Sequence, residues 1–268
     1  MTNRVVVGVD GSVGARVALL WAVDECRVRG RTLLIVHAPD GAAAATPGEP
    51  ALRVLDEAGE RLLGAHAAAA SARQPGVAVT TMLSHDPAAD ILVALSRDAD
   101  LLVVGTHGRG GNLTSILGSV SHRVAAHAHC PVAVIPEQPA LNGHRAARIV
   151  VGISASASGK AALEFAVEEA ACRDATVVAV RAQGETGEPA DALLAAAQNA
   201  VLVVVGCHHS DDRWSTRLGP VPSAILHRAP CPVVVVSRRR HVPLAAAETH
   251  RIAVEQVPFA TTEGLVPF

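Results

Sequence analysis

The fold is decided by the stretch VGVDGSVGARVALLWAVDECRVRGRTLLIVHA, residues 7–38, because a similar stretch occurs again later in the chain. Residues 151–182, VGISASASGKAALEFAVEEAACRDATVVAVRA, align with it without a gap. Glu25 falls on Glu169 in this alignment. Similarity at a fixed offset is the signature of a repeated supersecondary unit, so we predict two copies of one unit.

The later parts of the two copies also align, but at a shorter offset. The matching segments are LLVVGTHG (101–108) with LVVVGCHH (202–209), and HCPVAVIP (129–136) with PCPVVVVS (230–237). The offset is 144 residues between Gly8 and Gly152 and 101 residues between Gly105 and Gly206. The second copy therefore lacks about forty residues of the first, and we predict two unequal copies.

Each copy alternates short Val- and Leu-rich runs with segments of helical periodicity, which is typical of a parallel sheet covered by helices. In the first copy we predict strands near 4–9, 32–37, 77–83, 101–105 and 132–136, and helices near 13–29, 50–73, 87–97 and 119–128. The predicted fold class is α/β, with two doubly wound, Rossmann-like parallel-sheet domains of strand order 3-2-1-4-5. The second domain lacks one helix and the third strand, which is an edge strand in that order, so the centre of its sheet stays closed.

The predicted domains are residues 1–137 and a truncated, degenerate copy at 148–240, joined by a linker at 138–147. The linker contains proline, asparagine and glycine, which are typical of connecting segments. Residues 241–268 form a tail outside the repeat. The sequence leaves open whether this tail is disordered or adds an edge strand.

Composition narrows the class of protein. Half of the 268 residues are hydrophobic, which is enough for a sizeable core. The apolar runs are too short for a membrane span, and Asp10 interrupts the first run before it could act as a signal peptide. Five cysteines without a close CxxC pair suit reduced thiols, so we expect a cytoplasmic protein with mostly buried, inert thiols. A net charge of -2 and few aromatic residues give no case for nucleic-acid binding.

Two glycine-rich turns predict one ligand site in the first copy. The loop after the first strand is DGSVG (10–14), and the loop after the fourth strand is GTHGRGG (105–111). In an open parallel sheet the ligand crevice lies outside the carboxyl ends of the strands, at the point where the strand order reverses. That point lies between the first and fourth strands here, so the two turns face one ligand position.

The residue types around this crevice favour a phosphate-bearing ligand. Gly118 and Ser119 stand where the last helix of the copy begins, so the N–H groups and the helix dipole can hold phosphate oxygens. The hydroxyls of Ser119 and Ser121 can add to these contacts. Gly105 and Gly108 let the backbone come close to the ligand.

Other side chains suit the remaining parts of a nucleotide. Arg109 can supply a charge-assisted contact to a phosphate. The Asp10 carboxylate is better placed for ribose hydroxyls or for the water shell of a metal than for phosphate. Val9 and Ala38 can flank a base.

The spacing Gly105-x2-Gly108-x9-Gly118-Ser119, with VGVDGS (7–12) and HAHCPVAVIP (127–136), resembles the universal stress protein family in its ATP-binding branch. The resemblance covers both copies and implies a tandem-domain member. It implies an adenine-nucleotide-binding domain that pairs through its last strand and acts in stress adaptation or dormancy, with ATP and Mg as the expected ligand. The candidate cofactor-binding residues are Val9, Asp10, Gly11, Ser12, Ala38, Gly105, Gly108, Arg109, Gly118, Ser119, Val120 and Ser121.

The second copy departs from this pattern. Ser154 stands in place of Asp10, His209 in place of Gly108, Pro220 in place of Ser119 and Pro222 in place of Ser121. Proline has no N–H to donate, so we predict that this copy does not bind nucleotide tightly. Its expected role is to complete an intramolecular pseudo-dimer and bury the paired edges, while a homodimer of whole chains stays open.

Enzyme activity is not predicted. The chain has no Gly-Lys-Ser/Thr loop, its single lysine, Lys160, lies in the second copy, and no catalytic base is evident. No catalytic residues are therefore predicted. No metal-binding residues are predicted either, because the trio of His127, His129 and Cys130 fits a helix end better than a metal site. The alternatives are a nucleotide-independent scaffold for an unknown protein partner and, less favoured, an adenylating enzyme whose extra catalytic motif is absent.

Overall fold

The computed structural model describes residues 3–39, 49–108, 117–138, 147–181, 189–207, 218–237 and 252–253. The elements of the first copy are β1 (Arg4–Gly8), α1 (Val13–Arg29), β2 (Thr32–His37), α2 (Glu49–Arg73), β3 (Val79–Leu83), α3 (Ala88–Leu95), β4 (Leu101–Gly105), α4 (Ser119–His127) and β5 (Val132–Ile135). Every predicted strand and helix of this copy is present. The third helix ends two residues early because the chain tightens into a 3-10 turn over Ser96–Asp98.

The second copy repeats this order with the predicted deletion. Its elements are β6 (Arg148–Gly152), α5 (Ala157–Arg173), β7 (Thr176–Val180), α6 (Pro189–Ala197), β8 (Leu202–Gly206), α7 (Pro220–Arg228) and β9 (Val233–Val236), followed by β10 (Ile252–Ala253) in the tail. Among the described residues, the element that follows β7 is α6, the counterpart of α3. The missing block is therefore the helix and strand that correspond to α2 and β3.

The first helix of each copy is bounded by equivalent signals. The Ser12 hydroxyl accepts a hydrogen bond from the Ala15 N–H at 3.1 Å, as an N-cap residue does. Gly30 ends α1 in the left-handed conformation with φ 63°. In the second copy, Ser156 caps α5 in the same way and Asp174 ends it at φ 49°.

The ten described strands form one sheet in the order β10-β7-β6-β8-β9-β5-β4-β1-β2-β3. The first copy contributes β3-β2-β1-β4-β5, which is the predicted order 3-2-1-4-5. All neighbours are parallel except β5 and β9, which pair antiparallel with Ala133 opposite Val234. The two copies thus join through their last strands, as the resemblance implies.

The strand order of the second copy differs in detail from the expectation. β10, from the tail, pairs with β7 in parallel and occupies the edge position that β3 holds in the first copy. A sheet edge presents unpaired backbone groups, so the deletion leaves a place for a further strand. The tail supplies that strand, which settles the question that the sequence left open for residues 252–253. The predicted domain boundaries stay predictions.

Two apolar layers cover the sheet. Helices α1, α2 and α5 pack on one face, and α3, α4, α6 and α7 pack on the other. Along β4, Leu101 faces the first layer and Leu102 the second, and each layer contains residues of both copies. The strands read as continuous apolar runs because both faces of the sheet are buried. Among the described residues, no helix is long and apolar enough to cross a membrane.

A closed ring of four charged side chains joins α1 to α5. Arg29 donates hydrogen bonds to Glu25 and Glu169, and Arg173 donates to the same two carboxylates. The residues are equivalent in the repeat, since Glu25 matches Glu169 and Arg29 matches Arg173. Both glutamates are at most 1% exposed. The Arg29 guanidinium also lies 4.8 Å from the centre of the Phe165 ring.

The ring predicts a large effect of a small substitution. In Glu169→Gln one buried carboxylate is lost, and two arginines then share one negative charge. We expect the free energy of unfolding, measured by urea denaturation, to fall by about 3–5 kcal/mol. The exposed Glu164 of the same helix provides the control, and Glu164→Gln should change stability by less than about 0.5 kcal/mol. Equal effects of the two substitutions would contradict a stabilising ring.

The thiols are also mostly buried, as expected. Burial raises the pKa of Cys26, Cys130 and Cys231 to about 12 and that of Cys207 to about 11, whereas Cys172 is exposed. Because only the thiolate reacts, iodoacetamide at pH 8 should modify one thiol in the native protein and five in denaturant, as counted by mass spectrometry. Cys172→Ser should remove the native reaction. Fast modification of a second native thiol contradicts this assignment.

Candidate functional site

The loops after β1 and β4 meet at the carboxyl end of the sheet, as the sequence predicts. The Ser12 hydroxyl lies 3.5 Å from the carbonyl oxygen of His107. A Cβ atom on Gly108 would lie only 2.5 Å from Oδ2 of Asp10, so a larger residue at position 108 would displace the carboxylate. The structure therefore brings Asp10, Ser12 and Gly108 together.

The loop after β1 holds Asp10 in a fixed orientation. Oδ1 of Asp10 accepts a hydrogen bond from the Ser12 N–H at 2.9 Å, in the manner of an Asx turn. Gly11, between them, has φ 82°, a conformation that favours glycine. One carboxylate oxygen is thus held by its own loop, and the other lies beside Gly108.

Gly105 has a packing role in addition to the ligand contact that the sequence predicts. A Cβ atom at this position would lie 2.9 Å from the carbonyl carbon of Gly14 and 3.3 Å from the Ala15 nitrogen. The space that a Cβ atom of Gly105 would need is therefore occupied by the backbone of α1, and the predicted contact of Gly105 with a ligand stays a prediction. In the second copy a Cβ atom on Gly206 would lie 2.7 Å from the carbonyl carbon of Ser158, which indicates that a glycine at this position is required for packing α1 or α5 on the sheet.

The start of α4 lies next to the same two loops. Gly118 is the N-cap residue, and its N–H donates to the Thr106 carbonyl at 2.7 Å. The N–H groups of Ser119, Val120 and Ser121 belong to the first turn, where a helix offers no internal acceptor. A Cβ atom on Gly118 would lie 3.8 Å from the Gly108 nitrogen, so the helix start borders the β4 loop directly.

The two serines of α4 are not equivalent. Ser121 is buried and its hydroxyl donates to the Gly105 carbonyl at 2.6 Å, whereas Ser119 is exposed. The expectation that both hydroxyls point to a ligand is thus modified, because the Ser121 hydroxyl proton already has an acceptor. Ser121 can offer its backbone N–H, and Ser119 can offer both its N–H and its hydroxyl.

The candidate base-flanking residues lie at the ends of neighbouring strands. Val9 is buried, its N–H donates to the Val36 carbonyl at 2.8 Å, and Ala38 follows directly after β2. The Val9 carbonyl lies 2.8 Å from Nδ1 of His37, and since a carbonyl only accepts, this nitrogen carries the hydrogen. His37 is not among the residues predicted from the sequence, where its signal is a polar residue at the end of a buried strand.

Arg109 lies outside the described residues, so its predicted contact with phosphate stays a prediction. Within the ranges that the structure describes, no group of three or more potential metal ligands lies together.

The equivalent loop of the second copy takes another path. Ala155, which replaces Gly11, is not in the left-handed region. The Ser154 hydroxyl lies 2.8 Å from that of Ser156, the N-cap of α5, and a Cβ atom on Gly159 would approach Ser154 Oγ to 2.3 Å. The loop therefore folds over the start of α5, which Gly159, in place of Ala15, makes possible.

The contact of Gly105 with α1 can be tested by stability. We expect Gly105→Ala to lower the free energy of unfolding by about 1–3 kcal/mol, because the new methyl group overpacks the backbone of Gly14. Gly64 in α2 has open space around its Cβ position, so Gly64→Ala should raise stability by about 0.5–1 kcal/mol. Urea denaturation of both variants decides this, and a neutral Gly105→Ala would contradict the packing role.

Comparison with known proteins agrees with this architecture. The model of the universal stress protein family matches residues 1–136 and 177–237. A universal stress protein of Mycobacterium tuberculosis strain H37Rv is 29% identical over 297 aligned positions, which cover 86% of this chain and 94% of that protein. Its similarity extends over both copies.

Solved structures share the fold. The crystal structure of a universal stress protein from Archaeoglobus fulgidus DSM 4304 superposes with a TM-score of 0.71 and 18% identity, covering 89% of this chain and 99% of that chain. Another universal stress protein structure from Archaeoglobus fulgidus, solved in complex with dAMP, has 25% identity and a TM-score of 0.37 and covers 49% of this chain and 95% of that chain. The family match spans most of the sequence, and the chain belongs to the universal stress protein family.

Proposed function

We propose that the first copy binds ATP, with Mg, and that the protein acts in the cytoplasm as a regulator of stress adaptation or dormancy whose bound state is read by a protein partner. The observation that carries this proposal is the junction of three elements. Gly108 borders both the Asp10 carboxylate and the start of α4: its own Cβ position lies 2.5 Å from Oδ2 of Asp10, and its nitrogen lies 3.8 Å from the Cβ position of Gly118. A carboxylate beside a helix N-terminus suits a ligand with both hydroxyls and phosphates.

Each part of the nucleotide has a matching partner. Phosphate oxygens accept from the first-turn N–H groups of α4, at Ser119, Val120 and Ser121, and the helix dipole favours their charge. Asp10 accepts from ribose hydroxyls, and Arg109 adds a charge-assisted contact. The base lies between Val9 and Ala38.

The geometry supports binding at one copy per chain. The first turn of α7 contains Pro220 and Pro222 where α4 has Ser119 and Ser121, so it offers fewer N–H donors. The single lysine, Lys160, is exposed on α5 of the second copy. We therefore propose a nucleotide-binding protein and not an enzyme.

Calorimetric titration of nucleotide-free protein with ATP and Mg tests the proposal. We expect one ATP per chain, and we expect Gly118→Val to abolish binding, because its side chain would meet the Thr106 carbonyl and cover the start of α4. Gly219 is the N-cap of α7 and the repeat counterpart of Gly118, so Gly219→Val is the matched control and should leave binding unchanged.

A second pair of variants tests the carboxylate. Asp10→Ala should weaken the binding of ATP at least about tenfold, which corresponds to about 1.4 kcal/mol, whereas Ser154→Ala should leave the affinity for ATP unchanged. Thermal melting establishes that each variant is folded. No binding by the wild type at millimolar ATP would favour the nucleotide-independent scaffold. Equal losses of ATP affinity in Asp10→Ala and Ser154→Ala would contradict a single site in the first copy.

A further inference from the structure

The second copy has a cavity at the place where the first copy has its candidate nucleotide site. It lies at the carboxyl ends of β6, β7 and β8 and has a volume of about 580 Å³. Binding sites for small molecules fall in the range of about 300–1,000 Å³. The cavity is therefore large enough for a ligand, although the residues that would hold a nucleotide are replaced.

The start of α7 cannot act as a phosphate cradle. Pro220 and Pro222 occupy the first and third positions of the helix, and neither has an N–H group. Val221, between them, keeps the single N–H of this segment. The second copy has thus lost the donors that favour an anion at a helix N-terminus.

The walls of the cavity are apolar. Val180, Leu193 and Val205 line it and are each at most 3% exposed to solvent, and the prolines and Val221 continue this surface at the helix start. Covering apolar surface of this kind with an apolar ligand is favourable, because it removes the surface from water. The body of a matching ligand is therefore a hydrocarbon.

One cation lies at the edge of this surface. Arg181 follows β7, is exposed, and is the only charged side chain among the described residues that line the cavity. Within the described part of the chain it forms no ion pair of the kind that holds Arg29 and Arg173. Ser154 replaces the carboxylate of Asp10, so no acidic side chain stands among the described residues that line the cavity. A guanidinium pairs well with a carboxylate.

We propose that the second copy binds a small apolar monocarboxylate, of the chemical class of a medium-chain fatty acid, with its hydrocarbon body in the cavity and its carboxylate at Arg181. This site is separate from the nucleotide site proposed above and does not depend on it. The chain then carries two binding sites of opposite character on one repeated unit.

Titration of the full chain with decanoate, below its micelle concentration, tests this inference. We expect one decanoate per chain. Val221→Trp should fill the cavity and abolish decanoate binding while thermal melting shows that the variant is folded. Val120 is the repeat counterpart of Val221, and Val120→Trp should leave decanoate binding unchanged. Arg181→Gln should weaken decanoate at least fivefold and leave the binding of neutral decanol unaltered.

Each result decides the proposal. Absence of decanoate binding at millimolar concentration, competition between decanoate and ATP for one site, or equal losses in Val120→Trp and Val221→Trp overturns it. Equal affinity for decanoate and decanol in the wild type overturns the role of Arg181. Since Arg181 is exposed, Arg181→Gln keeps the test decisive even where Val221→Trp fails to fold.

Discussion

The antiparallel pairing of β5 with β9 is the contact on which the rest of the structure depends. Both strands are wholly buried, so in a separate copy each would be an exposed apolar edge. Their pairing makes one sheet from two and lets both apolar layers run across the junction. On one face, the ring of Glu25, Arg29, Glu169 and Arg173 closes over this junction. Because every carboxylate accepts from both arginines, the ring forms only when α1 and α5 adopt one relative placement.

This shared frame carries two different crevices. In the first copy, Gly11 permits a left-handed turn that holds Asp10 against Gly108. The first turn of α4 has N–H groups without an acceptor inside the helix. In the second copy, Ala155 excludes that turn, Ser154 folds toward α5, and prolines remove the donors. The sheet tolerates these changes because they lie in loops beyond the carboxyl ends of the strands, where no ladder hydrogen bond is lost.

Much of the candidate site was accessible from sequence, but some roles were not. The meeting of the 10–14 and 105–111 loops follows from the strand order 3-2-1-4-5, which is typical of the doubly wound fold that the alternation of strands and helices indicates. The packing of Gly105 against α1 could not be predicted, because a glycine required for ligand approach and one required for helix packing cannot be distinguished in a sequence. The hydrogen bond from Ser121 to Gly105, and the one between His37 and Val9, depend on side-chain directions that sequence spacing does not determine.

The sequence by itself determined the repeat, the elements of the first copy and the absence of one helix and strand from the second. These properties depend on local periodicity and on gap-free self-similarity, which are both present in the order of residues. Only the tertiary structure decided that β10 fills the vacant edge beside β7 and that Glu25 and Glu169, simple matches in the alignment, share two arginines. It also decided that an apolar cavity remains in the second copy. The physical reason is that the shared arginines join residues 140 and 148 positions apart, that β10 has only two residues, and that the cavity is formed by several separate elements, so none of these features has a local pattern.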